Sequence, residues 1–139
     1  MPSPRFTGNR PANNALRSFG VIVGTGIDII EISRIAAAAK NSRFLHRVFT
    51  VNECQAGSLA PNRLAGFFAA KEALLKAMGT GLSGFSWQEM EIAHNALGAP
   101  VFQVRGKVAC LLEEQGAPRI HVSISHCREY AVAQVILEK

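Results

Sequence analysis

The sequence predicts an α+β domain, with helices concentrated early and antiparallel strands late. Three observations carry that expectation. A β-branched, apolar run fills Val21 to Ile30, a long helical pattern runs from about Asn62 to Met78, and the hydrophobic period shifts toward alternation beyond about residue 90.

Val21 to Ile30 is apolar on both faces, which suits a buried strand, and Gly24 and Gly26 mark the close approach of other backbone or a ligand. Ile32 to Lys40 reads as a helix, followed by a basic stretch holding Arg43 and Arg47. Thr50-x-x-Glu53 is a capping-box signature for another short helix. The long helix that follows should end at Gly79, where a glycine cap is expected. Met90, Ile92 and Val101 to Val104 flank Asn95-Ala-Leu-Gly-Ala-Pro100, which reads as a hairpin or a longer turn. Lys107 to Gln115 looks helical and stops at Gly116-Ala-Pro118. Ile120 to Ser125 and Tyr130 to Leu137 form a second strand pair around His126-Cys-Arg-Glu129.

Composition narrows the function classes. With 139 residues, 48% hydrophobic and 18% charged, the chain is globular rather than disordered. A chain of this length buries about 68% of its unfolded surface and needs no staples. The formal charge is +5, from 15 Lys and Arg against 10 Asp and Glu, but Arg5, Arg10 and Arg17 fall in an acid-free N-terminal stretch. The rest is only mildly basic. One Tyr, one Trp and no dense basic run make nucleic-acid binding a weak reading, although a small basic binding module for nucleic acid or anionic partners stays open as the rival class. Cys54, Cys110 and Cys127 match neither a CxxC metal pattern nor a disulfide framework, so free thiols in a reducing cytoplasm are expected. Residues 1–20 read as a flexible extension or cloning remnant, with a transit peptide as the alternative. The apolar run Val21 to Ile32 is too short to span a bilayer and is interrupted by Asp28, so no membrane segment is expected.

Four places could carry chemistry. Asp28 is a lone carboxylate among apolar residues, and burying it unpaired costs several kcal/mol. It needs a cation, a metal or backbone donors; a helix cap or an Arg partner would also satisfy it. The long helix carries Lys71, Glu72 and Lys76 on an otherwise largely apolar circumference, so it should be mostly enclosed. Glu72 and Lys76 share a face and could form an intrahelical pair, while Lys71 lies about 100° around the helix. The loop Gly79-Thr-Gly-Leu-Ser-Gly84 could present backbone N–H groups to a phosphate or be a simple cap. Val122-Ser-Ile-Ser-His126 places a histidine at a strand end, as a site residue or a bystander.

Taken together, the segments resemble the holo-acyl-carrier-protein synthases, the small bacterial phosphopantetheinyl transferases. The resemblance rests on Gly24-x-Gly-Ile-Asp-Ile29 followed by Arg34, and on Phe68-Ala-Ala-Lys-Glu-Ala73 with Lys76-Ala-x-Gly-Thr-Gly81. It continues through Trp87 before Glu91-Ile92, Gly98-x-Pro100, and His121-Val-Ser-Ile-Ser-His126 before Tyr130-Ala-Val-Ala-Gln-Val135. This order extends from about Val23 to Glu138.

The resemblance implies a phosphopantetheinyl transferase fold over residues 21–139, with an antiparallel sheet packed on a long central helix. It implies transfer of 4′-phosphopantetheine from coenzyme A to a serine of apo acyl carrier protein in fatty acid biosynthesis, releasing adenosine 3′,5′-bisphosphate. Related transferases acting on polyketide, peptide-synthetase or fatty-acid-synthase carriers are the alternative. Carried to matching positions, Asp28 and Glu72 would hold Mg²⁺, with Mn²⁺ as the alternative, and Glu72 or a water beside the metal would take the serine proton. Lys76 would stabilise or protonate the leaving group. Lys71, Gly79, Thr80, Gly81 and His126 would contact coenzyme A. Arg34, with Arg43 and Arg47, would dock an acidic carrier surface. A homotrimer holding the coenzyme between subunits is also implied. One departure is Phe67, where many relatives carry a basic residue; Arg63 could compensate.

Overall fold

The computed structural model describes residues 19–58, 60–116 and 118–139. Nearly all of the expected extension 1–20 therefore lies outside the described residues. The described chain forms two antiparallel sheets and five α-helices.

Strand β1 (Ile22–Glu31) runs directly into helix α1 (Ile32–Ala38), whose first amide donates to the Glu129 carbonyl at 2.8 Å. Helix α2 (Ser42–Val48) occupies the segment read only as a basic stretch. Its signal was present in Asn41, whose side-chain oxygen accepts from the amides of Arg43 and Phe44 at 2.9 and 3.2 Å. Helix α3 (Val51–Gly57) starts at the expected capping box: Glu53 N–H donates to Thr50 Oγ1, and Thr50 N–H donates to Glu53 Oε1.

Helix α4 (Pro61–Met78) is the centre of the fold. Proline opens its first turn, and Gly79 closes it in the left-handed region at φ 74°, with the Thr80 amide donating to the Leu75 carbonyl at 3.1 Å. Its Leu64, Ala69, Leu74 and Met78 are buried, as the nearly uninterrupted apolar circumference required.

A 3₁₀ turn (Trp87–Glu89), carrying a second capping box between Ser86 and Glu89, leads into the hairpin of β2 (Met90–His94) and β3 (Pro100–Val104). Asn95 Oδ1 organises the connection by accepting from the amides of Leu97 and Ala99, while Gly98 adopts φ 82°. Helix α5 (Gly106–Glu114) precedes β4 (Arg119–His126) and β5 (Tyr130–Glu138), the strand pair expected near the C-terminus.

The larger sheet has the order β1-β5-β4, with Asp28 opposite Ala133 and Ser123 opposite Gln134. Its inner face, including Ile30, Ala131, Ala133, Val135 and Leu137, is buried. Gly24 and Gly26 set the separation from α4: a Cβ on Gly24 would collide with the Ala77 carbonyl, and one on Gly26 would collide with the Ala73 carbonyl. Of the two alternatives for this Gly-x-Gly, close backbone approach is the one present.

The expectation that β1 is buried on both faces is corrected. β1 lies at the sheet edge, and Val23, Ile27 and Ile29 remain 43%, 60% and 64% exposed on the outer face. The hydrophobic run encodes one face for α4 and another that this chain leaves uncovered. No helix among the described residues is long and apolar enough to cross a membrane.

Candidate active site

The tight β1–α4 contact brings Asp28 beside the charged face of the long helix. Lys76 Nζ lies 3.0 Å from Asp28 Oδ1 and also donates to the Ile27 carbonyl at 2.9 Å. Asp28 is thus satisfied by a lysine from another element, neither capping α1 nor pairing with arginine. Glu72 sits one helical turn before Lys76 and is half-buried. Burial first, and then the negative charge of Asp28, push the Glu72 carboxyl above its ordinary value, while Lys76 partly opposes the rise.

This is a concentrated anionic site facing a flexible cation. Asp28 and Glu72 can share one divalent ion. Among the described residues, no group of three or more His, Cys, Asp or Glu side chains is placed to hold a metal, so any ion here would need ligands from substrate or water. Two carboxylates without His or Cys suit Mg²⁺, which commonly retains waters and takes phosphate oxygens. Thr25, Gly26, Ile27, Lys76 and Gln134 line a cleft of about 350 Å³ beside this cluster.

The chain beyond α4 adds a second sign of a polar ligand. Gly79 and Gly81 are exposed, and the Thr80 side-chain oxygen is buried without a hydrogen-bond partner. Buried hydroxyls are normally satisfied, so an unpaired one beside a glycine-rich loop suits a phosphate acceptor.

Lys71 requires a correction. The expected phosphate contact is not formed from its position in this chain, because its ammonium is wholly buried and already donates to three acceptors. These are the Val48 carbonyl at 2.6 Å, Glu53 Oε1 at 2.7 Å and the Trp87 carbonyl at 3.2 Å. The rotation of about 100° between Lys71 and Glu72 turns them toward different surroundings: one into the core, the other toward Asp28. Burial lowers the Lys71 pKa, while Glu53 acts in the opposite direction. The full role of Glu53 was missed because the capping box accounts for it locally, whereas its lysine partner is 18 positions away.

His126 lies near the other end of α4. Its Nε2 is 3.3 Å from Asn62 Nδ2, and both residues line a pocket of about 190 Å³ with Arg63, Phe67 and His94. Phe67 is buried, with its ring 5.9 Å from that of His94. Asn62 and Lys76 are separated by fourteen positions on one helix, about 21 Å along its axis. The expected coenzyme residues therefore fall into two groups, with Lys76 to Gly81 at one end of α4 and His126 at the other. Arg34 on α1 and Arg43 and Arg47 on α2 are all exposed.

A sheet rests on one central helix, with paired acids and a lysine where they meet. Residues 24–135 match the 4′-phosphopantetheinyl transferase superfamily, and the chain belongs to that family. The holo-(acyl-carrier-protein) synthase of Koribacter versatilis is 44% identical over 124 residues, covering 85% of this chain and 99% of the relative. That of Shouchella clausii is 48% identical over 125 residues, again covering 85% and 99%. Among solved structures, the holo-(acyl-carrier-protein) synthase of Neisseria meningitidis aligns with TM-score 0.78 and 38% identity, covering 86% of this chain and all of that one. The Bacillus anthracis synthase in complex with CoA (3′,5′-ADP) aligns with TM-score 0.70 and 37% identity, covering 85% and 97%.

Proposed function

We propose that this chain transfers 4′-phosphopantetheine from coenzyme A to a serine of apo acyl carrier protein, as a Mg²⁺-dependent cytoplasmic enzyme supplying holo carrier for fatty acid synthesis. The observation that carries the reading is the meeting of Asp28, Glu72 and Lys76 where β1 crosses α4. Asp28 and Glu72 would hold the ion. When bound, Mg²⁺ would offset the charge of both carboxylates and of the phosphoryl oxygens.

The serine oxygen attacks the β-phosphorus of coenzyme A. Its new P–O bond forms as the bond from that phosphorus to the bridging oxygen breaks, and the electron pair leaves with adenosine 3′,5′-bisphosphate. Glu72, or a water beside the ion, would take the serine proton. Lys76 has a half-exposed side chain tethered to Asp28 and Ile27, and its ammonium is suited to neutralise the departing phosphate. The Thr80 hydroxyl and the backbone of Gly79 and Gly81 would support the coenzyme phosphates.

The protein substrate would dock on α1 and α2. From Ile32 to Asn52 the chain has Arg34, Lys40, Arg43 and Arg47 but no acid, a distribution that favours an acidic surface. The separation of His126 from Lys76 supports a coenzyme site completed by another copy, with His126 of one subunit serving the lysine end of its neighbour. The uncovered Val23, Ile27 and Ile29 face supplies an apolar surface for such a homotrimer. The reaction is tested by following carrier-dependent release of adenosine 3′,5′-bisphosphate with Mg²⁺ and with a chelator. Release only in the metal-containing reaction supports the reading, and carrier-independent or chelator-resistant release contradicts it.

A further inference from the structure

The buried Lys71 ammonium links parts of the chain that local sequence cannot hold together. From α4 it reaches the Val48 carbonyl at the end of α2, Glu53 on α3 and the Trp87 carbonyl in the 3₁₀ turn. Glu53 extends the network by accepting from the amides of Thr50 and Ile92, at 2.9 and 3.1 Å. Gln88 makes a parallel attachment: its Nε2 donates to the His46 carbonyl at 2.6 Å and the Phe49 carbonyl at 2.9 Å. Three carbonyls at the end of α2, those of His46, Val48 and Phe49, are therefore held by side chains from α4 and the 3₁₀ turn.

Such a network is a poor way to gain stability alone. Removing a cation and an anion from water offsets much of their attraction, and apolar replacements of a buried pair are often as stable. What the polar arrangement adds is direction, because a hydrogen bond holds its partners to a narrow distance and weakens steeply as the donor angle departs from linear. The segment it directs is α2, whose exposed Arg43 and Arg47 belong to the acid-free surface assigned above to the carrier. Gln88 fixes α2 to the 3₁₀ turn, and Lys71, the residue before Glu72, ties the end of α2 to α4.

We propose that Lys71, Glu53 and Gln88 form a positioning device that holds the arginines of α2 in register with Glu72, so that carrier use depends on it while coenzyme use does not. This rests on the transferase reading above. The three residues touch neither substrate; they act through the placement of α2.

The test compares steady-state transfer by Gln88→Leu, Lys71→Met and the wild-type chain, varying apo carrier and coenzyme A separately. Gln88→Leu is the principal variant because it leaves the buried Lys71–Glu53 pair intact. The expected result is a carrier KM raised about fivefold with coenzyme KM unchanged within about twofold, a free-energy change about the size of one net hydrogen bond, of the two that Gln88 makes. Val108→Ala, which removes buried volume on α5, is the stability control and should leave carrier KM unchanged despite a lower melting temperature. Lys71→Met, where it folds, should show the same selective rise. An unchanged carrier KM in Gln88→Leu, or parallel rises for both substrates, would overturn the proposal. Wild-type activity in the same assay separates that outcome from failure of the transferase reading.

Discussion

Lys76 and Asp28 meet at 3.0 Å across the contact between α4 and β1, with side-chain exposures of 53% and 17%. An ion pair this open contributes no more than about 1 kcal/mol to stability. On the proposed function its location serves chemistry, since a half-exposed Lys76 would leave Asp28 for a phosphate without disrupting the core. Asp28→Ala is therefore expected to lower transfer by about 100-fold or more while changing the melting temperature little. Parallel activity and thermal-melt measurements check this; an active Asp28→Ala enzyme would remove the carboxylate from the metal assignment.

Glu72 should carry a stability cost. Its folded-state pKa is raised, by burial and then by Asp28, so the folded protein holds the proton at pH values where the unfolded chain has released it. Stability from this group is full below the unfolded pKa near 4.5 and is lost as pH rises through the higher folded value. Glu72→Gln should accordingly melt higher than wild type in metal-free buffer at neutral pH, with the difference shrinking toward pH 4, and should not transfer. A lower melting temperature at neutral pH would contradict the assigned electrostatics.

Gly26 is predicted to tolerate no side chain. A methyl group there would meet the Ala73 carbonyl and lie 2.7 Å from the Ala77 amide nitrogen, both in the backbone of α4. Gly26→Ala should cost about 1–3 kcal/mol, lowering the melting temperature by about 4–12 °C. Calorimetry reads this directly, and an unchanged melting temperature would show that β1 can move away from α4.

The elements most visible in the sequence were those specified by neighbours in the chain. Thr50 and Glu53 announce α3, and the apolar circumference closed by Gly79 announces α4. Asn41 was an equally local signal for α2, hidden by the basic residues around it. Lys71 was harder to assign because a lysine beside a catalytic-looking glutamate reads as part of the same site. Only tertiary packing supplies Val48, Glu53 and Trp87 as its partners. Likewise, apolar residues on both faces of β1 reveal that both faces need covering, but not that this chain covers only one.

The uncovered face yields a prediction about assembly. Ile29→Glu places a charge on the outer side of β1, away from α4. Sedimentation should show the wild-type chain as a trimer and this variant dissociating with its helical circular dichroism retained. Mixing inactive Lys76→Ala and His126→Ala chains should restore some transfer if each composite site draws those residues from different subunits. A monomeric, fully active wild-type enzyme would contradict the shared site.

The most direct measurement is the intact mass of an apo acyl carrier protein incubated with this chain, coenzyme A and Mg²⁺. A parallel reaction uses a carrier whose acceptor serine is replaced by alanine. A gain of one phosphopantetheine is expected on the first carrier and none on the second. No gain on the serine carrier, or an equal gain on both, would contradict serine-directed transfer.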